Sequence, residues 1–333
     1  MSTSHSSIFP SSSPLRSAAL QPATLRSYNK HLISFLDYTR LSLQQLLSLP
    51  HRSIDRSLSD YIDLSYSRGG SYDYACHTLN SLVFHSPHLR HRLVESRLRL
   101  RGWNRIRVSS SHPPITFELT VLFSCTLAKQ GLLDRSVAML LAFHCYLRVG
   151  ELTRLHYDDI IQPNDSRLGD AHAGMAVRLS ETKTGKNQWV SITNGDIGSI
   201  LVCFLHHRYG AGVGNPRIFP FSPSSFRHSL RQLCSAFHLS SVPYVPHSFR
   251  HGGASTDFMT GSTIEQIMYR GRWKSMESAR RYIQTGRALL ADHHIPPRLI
   301  HDGQILVKSI VPVLSDYIHS SPSRPGRHVR FRV

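Results

Sequence analysis

Met175-Ala176-Val177-Arg178-Leu179-Ser180-Glu181-Thr182-Lys183-Thr184-Gly185-Lys186-Asn187-Gln188-Trp189-Val190-Ser191-Ile192 is where the polarity pattern of the chain changes period. Met175, Val177 and Leu179 alternate with small or polar neighbours, and Val190 and Ile192 alternate again. Side chains two apart share one face of a strand, and Lys183-Thr184-Gly185-Lys186 supplies a turn, so the stretch predicts a β-hairpin. On either side the apolar period is helical. Phe117 to Gln130 and Ser136 to Tyr146 carry apolar stripes, the second running into Leu147-Arg148-Val149-Gly150-Glu151-Leu152. Helices resume after Gly195. Ser262-Thr263-Ile264-Glu265 has the form of a capping box, opening a helix that Gly271 closes, and a further helix is predicted over Ser278 to Leu290. The expected fold class is mainly α with a small antiparallel β-sheet.

Further out, residues 1–20 are rich in Ser and Pro and are expected to form an N-terminal arm. Pro22 opens a helix with Leu25, Tyr28, Leu32, Phe35 and Leu36 at helical spacing; more helix is predicted over Leu58 to Tyr66 and Tyr72 to Phe84, with Arg68-Gly69-Gly70 as the break. These make a small helical domain over 21–108. It ends in an arginine-dense helix holding Arg90, Arg92, Arg97, Arg99, Arg101, Arg105 and Arg107, with Glu95 as the offsetting charge, and Ser109 to Pro114 reads as a linker. Like charges at that density repel unless an anionic partner meets them, so Arg97, Arg99, Arg101 and Arg105 are candidate DNA-backbone contacts. Residues 109–290 form the second expected domain, followed by a C-terminal segment with a Pro/Gly/Arg tail over 291–333.

With 39 Lys and Arg against 21 Asp and Glu, the 333-residue chain carries a formal charge of +18. Such an excess calls for a polyanion. Nucleic acid fits, because neutralised phosphates release condensed counterions, and an anionic membrane surface would also attract it. The longest apolar run, Val137 to Phe143, is far short of the roughly 20 residues that span a bilayer, and no apolar signal core is present, so a soluble, intracellular protein is expected. Five cysteines without a C-x-x-C pair read as reduced packing residues. Histidines such as His206-His207 and His293-His294 are sequence neighbours that point apart, so no metal site is expected.

Three short boxes carry chemistry. Leu147-Arg148-Val149-Gly150-Glu151-Leu152-Thr153-Arg154-Leu155 resembles the first-arginine motif of the tyrosine recombinase and integrase family. His247-Ser248-Phe249-Arg250-His251-Gly252-Gly253-Ala254 resembles its His-x-x-Arg box, and Gly271-Arg272-Trp273-Lys274-Ser275 with Arg281-Tyr282-Ile283 resembles its closing box. The resemblance covers about residues 21 to 290 and leans towards recombinases of eukaryotic mobile elements such as DIRS-type retrotransposons and cryptons. It implies a two-domain clamp on double-stranded DNA, assembly to a tetramer at synapsis, and a location wherever the element's DNA lies, the nucleus for a eukaryotic host. It also implies strand cleavage and rejoining without metal, ATP or other cofactor.

The residue types suit that chemistry. Arg148 and Arg250 offer planar paired donors for the charge that builds on nonbridging oxygens as phosphorus becomes five-coordinate. Glu151 would orient Arg148 from the same helical turn. Tyr282 is the expected nucleophile, set in the predicted helix, with His247 as its base or proton shuttle. Lys183 is the assignment for the proton donor to the leaving 5′-oxygen, with Lys186 competing. Trp273 stands where the family more often has histidine; its indole N–H donates but accepts no proton. His251 is expected as support. Ile305 to Ile318 would dock on a neighbouring protomer, as C-terminal helices of the family often do. A DNA-binding relative without cleavage, and a type IB topoisomerase that relaxes supercoils as a monomer, are the rival functions.

Overall fold

The computed structural model describes residues 14–107, 112–163, 165, 167, 174–182, 185–210, 214–286 and 295–322. It divides into two compact units, Met1–Ser110 and Ser111–Val333.

The first unit is helical: α1 (Pro14–Ala18), α2 (Pro22–Thr39), α3 (Leu43–Ser48), α4 (His51–Ser67), α5 (Tyr72–His85) and α6 (Val94–Ile106). Pro22 sits in the first turn of α2, where its missing N–H costs nothing, and Ser42 and Gln45 form a reciprocal capping box on α3. The apolar faces of these helices bury Leu32, Phe35, Leu58, Ile62, Leu82 and Trp103 in one core. Polar groups are buried there too. Asp55 of α4 is buried and accepts from the Glu95 and Ser96 backbone N–H groups, both at 2.9 Å, so a carboxylate from α4 caps the free donors at the start of α6.

In the second unit α7 (Phe117–Lys129) and α8 (Leu133–His144) form a helical hairpin, capped at its start by Thr116. After the short α9 (Val149–Leu152) comes a sheet of order β1-β2-β3, all antiparallel, made of Ile160–Ile161, Met175–Glu181 and Lys186–Ile192. Val177 faces Val190 and Met175 faces Ile192, which aligns the inward side chains the alternation predicts. Then follow α10 (Gly195–Tyr209), α11 (Pro223–Ala236), α12 (Pro246–Met259), α13 (Ile264–Gly271), α14 (Met276–Arg280), α15 (Pro297–Lys308) and α16 (Ile310–Ser320). Phe123, Leu140, Phe204, Phe219, Phe226 and Phe249 centre the core. The fold is mainly α with a small antiparallel sheet, as the pattern predicts.

Four details differ from the sequence reading. The cap of α13 is Thr263 with Gln266, one residue later than expected, and its left-handed closing residue is Arg272 (φ +57°) rather than Gly271. β1 is only two residues long, too short for a period to reveal. The predicted helix through Tyr282 stops at Arg280; Tyr282 lies in the turn beyond. Its carbonyl accepts from Ser255 and His251 at 3.3 Å, and Ser255 in turn accepts the Gln284 N–H, so side chains of α12 replace the helical ladder there. Finally, Ile310, Leu314 and Ile318 are buried in the core of their own unit, where α16 packs on α10 and α7, so this part of the face expected to dock on a neighbouring protomer is used in cis, while Ile305 is exposed.

Candidate active site

Arg148 follows directly on the buried Cys145-Tyr146-Leu147 segment that leaves α8. Tyr146 takes a left-handed conformation (φ +49°), which turns the chain into α9 and delivers Arg148 at its start. Glu151, three residues on in the same turn, is buried and holds Arg148 twice: one oxygen accepts the Arg148 backbone N–H at 2.8 Å, the other its guanidinium at 2.7 Å. The side chain of Arg148 remains 19% exposed, and its guanidinium pairs with Glu151.

α12 carries His247 in its first turn and Arg250 and His251 one turn on. Arg250 is fully buried, and its guanidinium donates to the carbonyls of Tyr146 and Gly271, tying α12 to the ends of α8 and α13. This close packing depends on Gly253. A Cβ there would overlap the Phe143 carbonyl and lie 2.7 Å from the Tyr146 ring, so only glycine lets α12 approach α8. Burial first, then the neighbouring Arg148 and Arg272, pull the Arg250 pKa down to about 9, which leaves it cationic at neutral pH.

The closing box completes the cluster. Trp273 folds back over Gly271, whose missing Cβ leaves room for the indole. The Tyr282 ring is half-buried between His251 (centroids 4.6 Å) and Trp273 (4.7 Å), with the Arg250 guanidinium 5.1 Å from its centre and His247 6.3 Å away. Burial, followed by the charges of Arg250 and Arg148, lowers the His247 pKa, so its imidazole is neutral at neutral pH and able to accept a proton. His251 is pushed down to about 4, chiefly by burial, and stays neutral as it stacks on Tyr282. Buried N–H groups at Arg250 Nε and Trp273 Nε1 have no acceptor among the described residues.

Arg148, Glu151, His247, Arg250, His251, Trp273 and Tyr282 thus come together in the second unit. Lys183 lies outside the described residues, as does its neighbour Thr184; Lys186 begins β3 opposite Glu181. Among the described residues no group of three or more His, Cys, Asp or Glu is arranged to hold a metal, and no helix is long and apolar enough to cross a membrane.

In the first unit Arg97, Arg99, Arg101 and Arg105 all lie on α6. Arg99 pairs with Asp63 of α4 at 3.0 Å as well as with Glu95 at 3.3 Å, so Glu95 is not the sole offset. Arg97 donates to the Arg90 carbonyl, and Arg101 and Arg105 are exposed. Sequence reasoning missed Arg272, whose guanidinium is buried against Glu151 at 2.9 Å. It also missed the polar cluster of Tyr146, Asp257, Arg270 and His144 beneath the site: Tyr146 donates to Asp257, while Arg270 binds Asp257 and the ring and carbonyl of His144. Arg272 lies inside the closing box, but nothing in its spacing distinguishes it from a surface arginine.

A search of curated proteins returned no match. Among solved structures, the Tn1549 transposon integrase in complex with transposon right end DNA is similar in fold, with 13% identity and a TM-score of 0.57 over 82% of this chain and 94% of that one. A lambda integrase dimer bound to a COC′ core site is similar at 14% identity and a TM-score of 0.55, over 81% of this chain and 92% of that one. The phage integrase family matches residues 119–287, half of the chain and the span that holds all three boxes, and the chain belongs to that family.

Proposed function

We propose that the chain is a site-specific recombinase that cuts and rejoins double-stranded DNA through a covalent 3′-phosphotyrosyl intermediate. The observation that carries this reading is the Tyr282 ring, held between His251 and Trp273 with the Arg250 cation over its face. In the proposed reaction the Tyr282 oxygen attacks phosphorus and the bond to the 5′-oxygen breaks. The phenol proton passes to neutral His247, and Lys183 protonates the departing 5′-oxygen. Reversal by another 5′-hydroxyl rejoins the strand. Because one phosphodiester replaces another, no ATP is consumed.

Arg148 and Arg250 meet the charge that develops on the nonbridging oxygens, the role a metal ion fills in other nucleases. The two buried donors support this. An unpaired buried N–H costs about 1–3 kcal/mol, and Arg250 Nε and Trp273 Nε1, both sealed from solvent in this structure, would gain acceptors if the Tyr282 turn shifts to admit a phosphate. Exchange between two DNA sites takes four protomers, so a tetramer on DNA, acting on a mobile element in whichever compartment holds it, belongs to the same reading.

The test is incubation in EDTA with a randomised pool of nicked duplexes, read on denaturing gels. A covalent adduct is expected from the wild-type chain, and Tyr282→Phe should abolish it while DNA retention persists. Binding without any adduct would make this a silent DNA-binding relative. Supercoil relaxation without exchange between sites would make it a type IB topoisomerase-like enzyme.

A further inference from the structure

We infer that Arg272 is a positioning residue for strand cleavage: its guanidinium fixes the Glu151 carboxylate, which in turn sets Arg148 against the scissile phosphate. The inference rests on the cleavage reading above and adds to it a residue that touches no reacting atom.

Arg272 is an unusual place to spend a long cation. Its side chain is 3% exposed and that of Glu151 2% exposed, so the pair is removed from water. Its backbone is left-handed, a conformation that favours glycine. Its side chain makes several contacts. One amino group reaches Glu151 at 2.9 Å, and the guanidinium also meets the carbonyls of Cys145 and Arg270 at 3.3 Å and of Tyr146 at 3.4 Å. The end of α13 is thereby bolted to the strand of chain that delivers Arg148, one residue before Trp273.

The electrostatics point the same way. Arg148 and Arg272 both bond the buried Glu151 carboxylate, and Arg250 lies within its electrostatic reach. Burial alone would raise the Glu151 pKa, yet Arg272 and Arg148 together hold it below the usual range. The groups that act on Glu151 or on its partners are Arg148 from its own turn, Arg272 from α13, Arg250 and His247 from α12, and the Cys145 thiol beside Arg272. By taking a share of the Glu151 charge, Arg272 leaves Arg148 with net positive charge to offer a phosphate while its orientation stays fixed.

The experiment is single-turnover adduct formation by the full chain on nicked duplex, followed from pH 5 to pH 8, for Arg272→Met, Arg272→Lys, Glu151→Gln and the Glu151→Gln/Arg272→Met pair. Loss of a group that orients a reacting residue through another costs about 10- to 100-fold, so Arg272→Met should be slower by that factor at pH 7. It should also gain an acid limb beyond the one that protonation of His247 gives wild type, because Glu151, half-deprived of partners, protonates at higher pH. Arg272→Lys, which keeps a buried cation, should recover part of the rate. The double variant leaves no unpaired buried carboxylate, so it folds even if Arg272→Met does not; it should show only the wild-type acid limb and be no slower than Glu151→Gln alone.

A wild-type profile for Arg272→Met, a lysine variant no better than the methionine one, or losses that multiply in the double variant would each overturn the positioning role. A wild-type chain that forms no adduct at any pH overturns the cleavage reading itself, and this role with it.

Discussion

Adding one methyl group at Gly253 tests the geometry on which the site depends. The new Cβ would lie 2.7 Å from one Tyr146 ring carbon and 2.8 Å from another, and still closer to the Phe143 carbonyl oxygen. Ordinary carbon contacts lie at about 3.5–4.0 Å, so α12 must withdraw from α8 by about 1 Å. The facing atoms are backbone and a buried ring, with no flexible side-chain end to give way. Overpacking of this kind costs about 1–3 kcal/mol, and the upper end applies here. For a unit of this size that corresponds to a fall in Tm of about 6–12 °C.

The same withdrawal carries Arg250, one turn earlier on α12, off the Tyr146 carbonyl, and a misplacement of about 1 Å at reacting groups costs about 100-fold in rate. Calorimetry of Gly253→Ala should show the drop in Tm, and adduct kinetics at a temperature where it remains folded should show the loss of rate. Gly102→Ala is the control. It sits in the middle of α6 with nothing within 4 Å of an added Cβ, and should stabilise by about 0.5–1 kcal/mol. A Gly253→Ala chain that melts and cleaves like wild type would refute the packing argument.

On α6, Arg101→Gln and Arg105→Gln should each weaken DNA binding and reduce the slope of log affinity against log salt by about 1, whereas Arg99→Gln, already paired with Asp63 and Glu95, should change it less; equal effects from all three, measured by fluorescence anisotropy, would contradict this. His144 is pushed down to about 3, by burial and then by Arg270, so the unfolded chain takes up a proton that the folded one refuses between about pH 6.5 and that value. Stability should therefore be full above the ordinary histidine range and decline as pH falls through it. His144→Gln, whose amide oxygen can still accept from the Thr193 N–H, should flatten part of that decline in urea titrations at pH 7 and pH 5.

The residues that gather at the candidate site were more legible in the sequence than the backbone that holds them. Arg148, His247, Arg250, Trp273 and Tyr282 could be singled out because residue type and spacing within three boxes mark them, and the alternation at Met175 to Ile192 marks the hairpin. The turn at Tyr282 could not be read locally: Ala279 and Ile283 keep a helical spacing, and what breaks the helix is the pair Ser255 and His251, distant in sequence, that claims the Tyr282 carbonyl. Arg272 escaped for a similar reason. Its importance lies in burial against Glu151, a contact across 121 positions that no local pattern signals. The cis packing of Ile310, Leu314 and Ile318 likewise depends on α7 and α10, which a reading of the helix by itself does not contain.

The tilted contact of Trp273 with Tyr282, and the Arg250 guanidinium 4.4 Å from the indole, also give the protein a built-in optical gauge. The other two indoles are separable from it, Trp103 in the first unit and Trp189 exposed on β3. With both replaced by phenylalanine, all tryptophan emission would come from the ring beside Tyr282, the proposed nucleophile. Its wavelength and quenching would then follow the arrival of a phosphate and the departure of the tyrosine in real time, without a label.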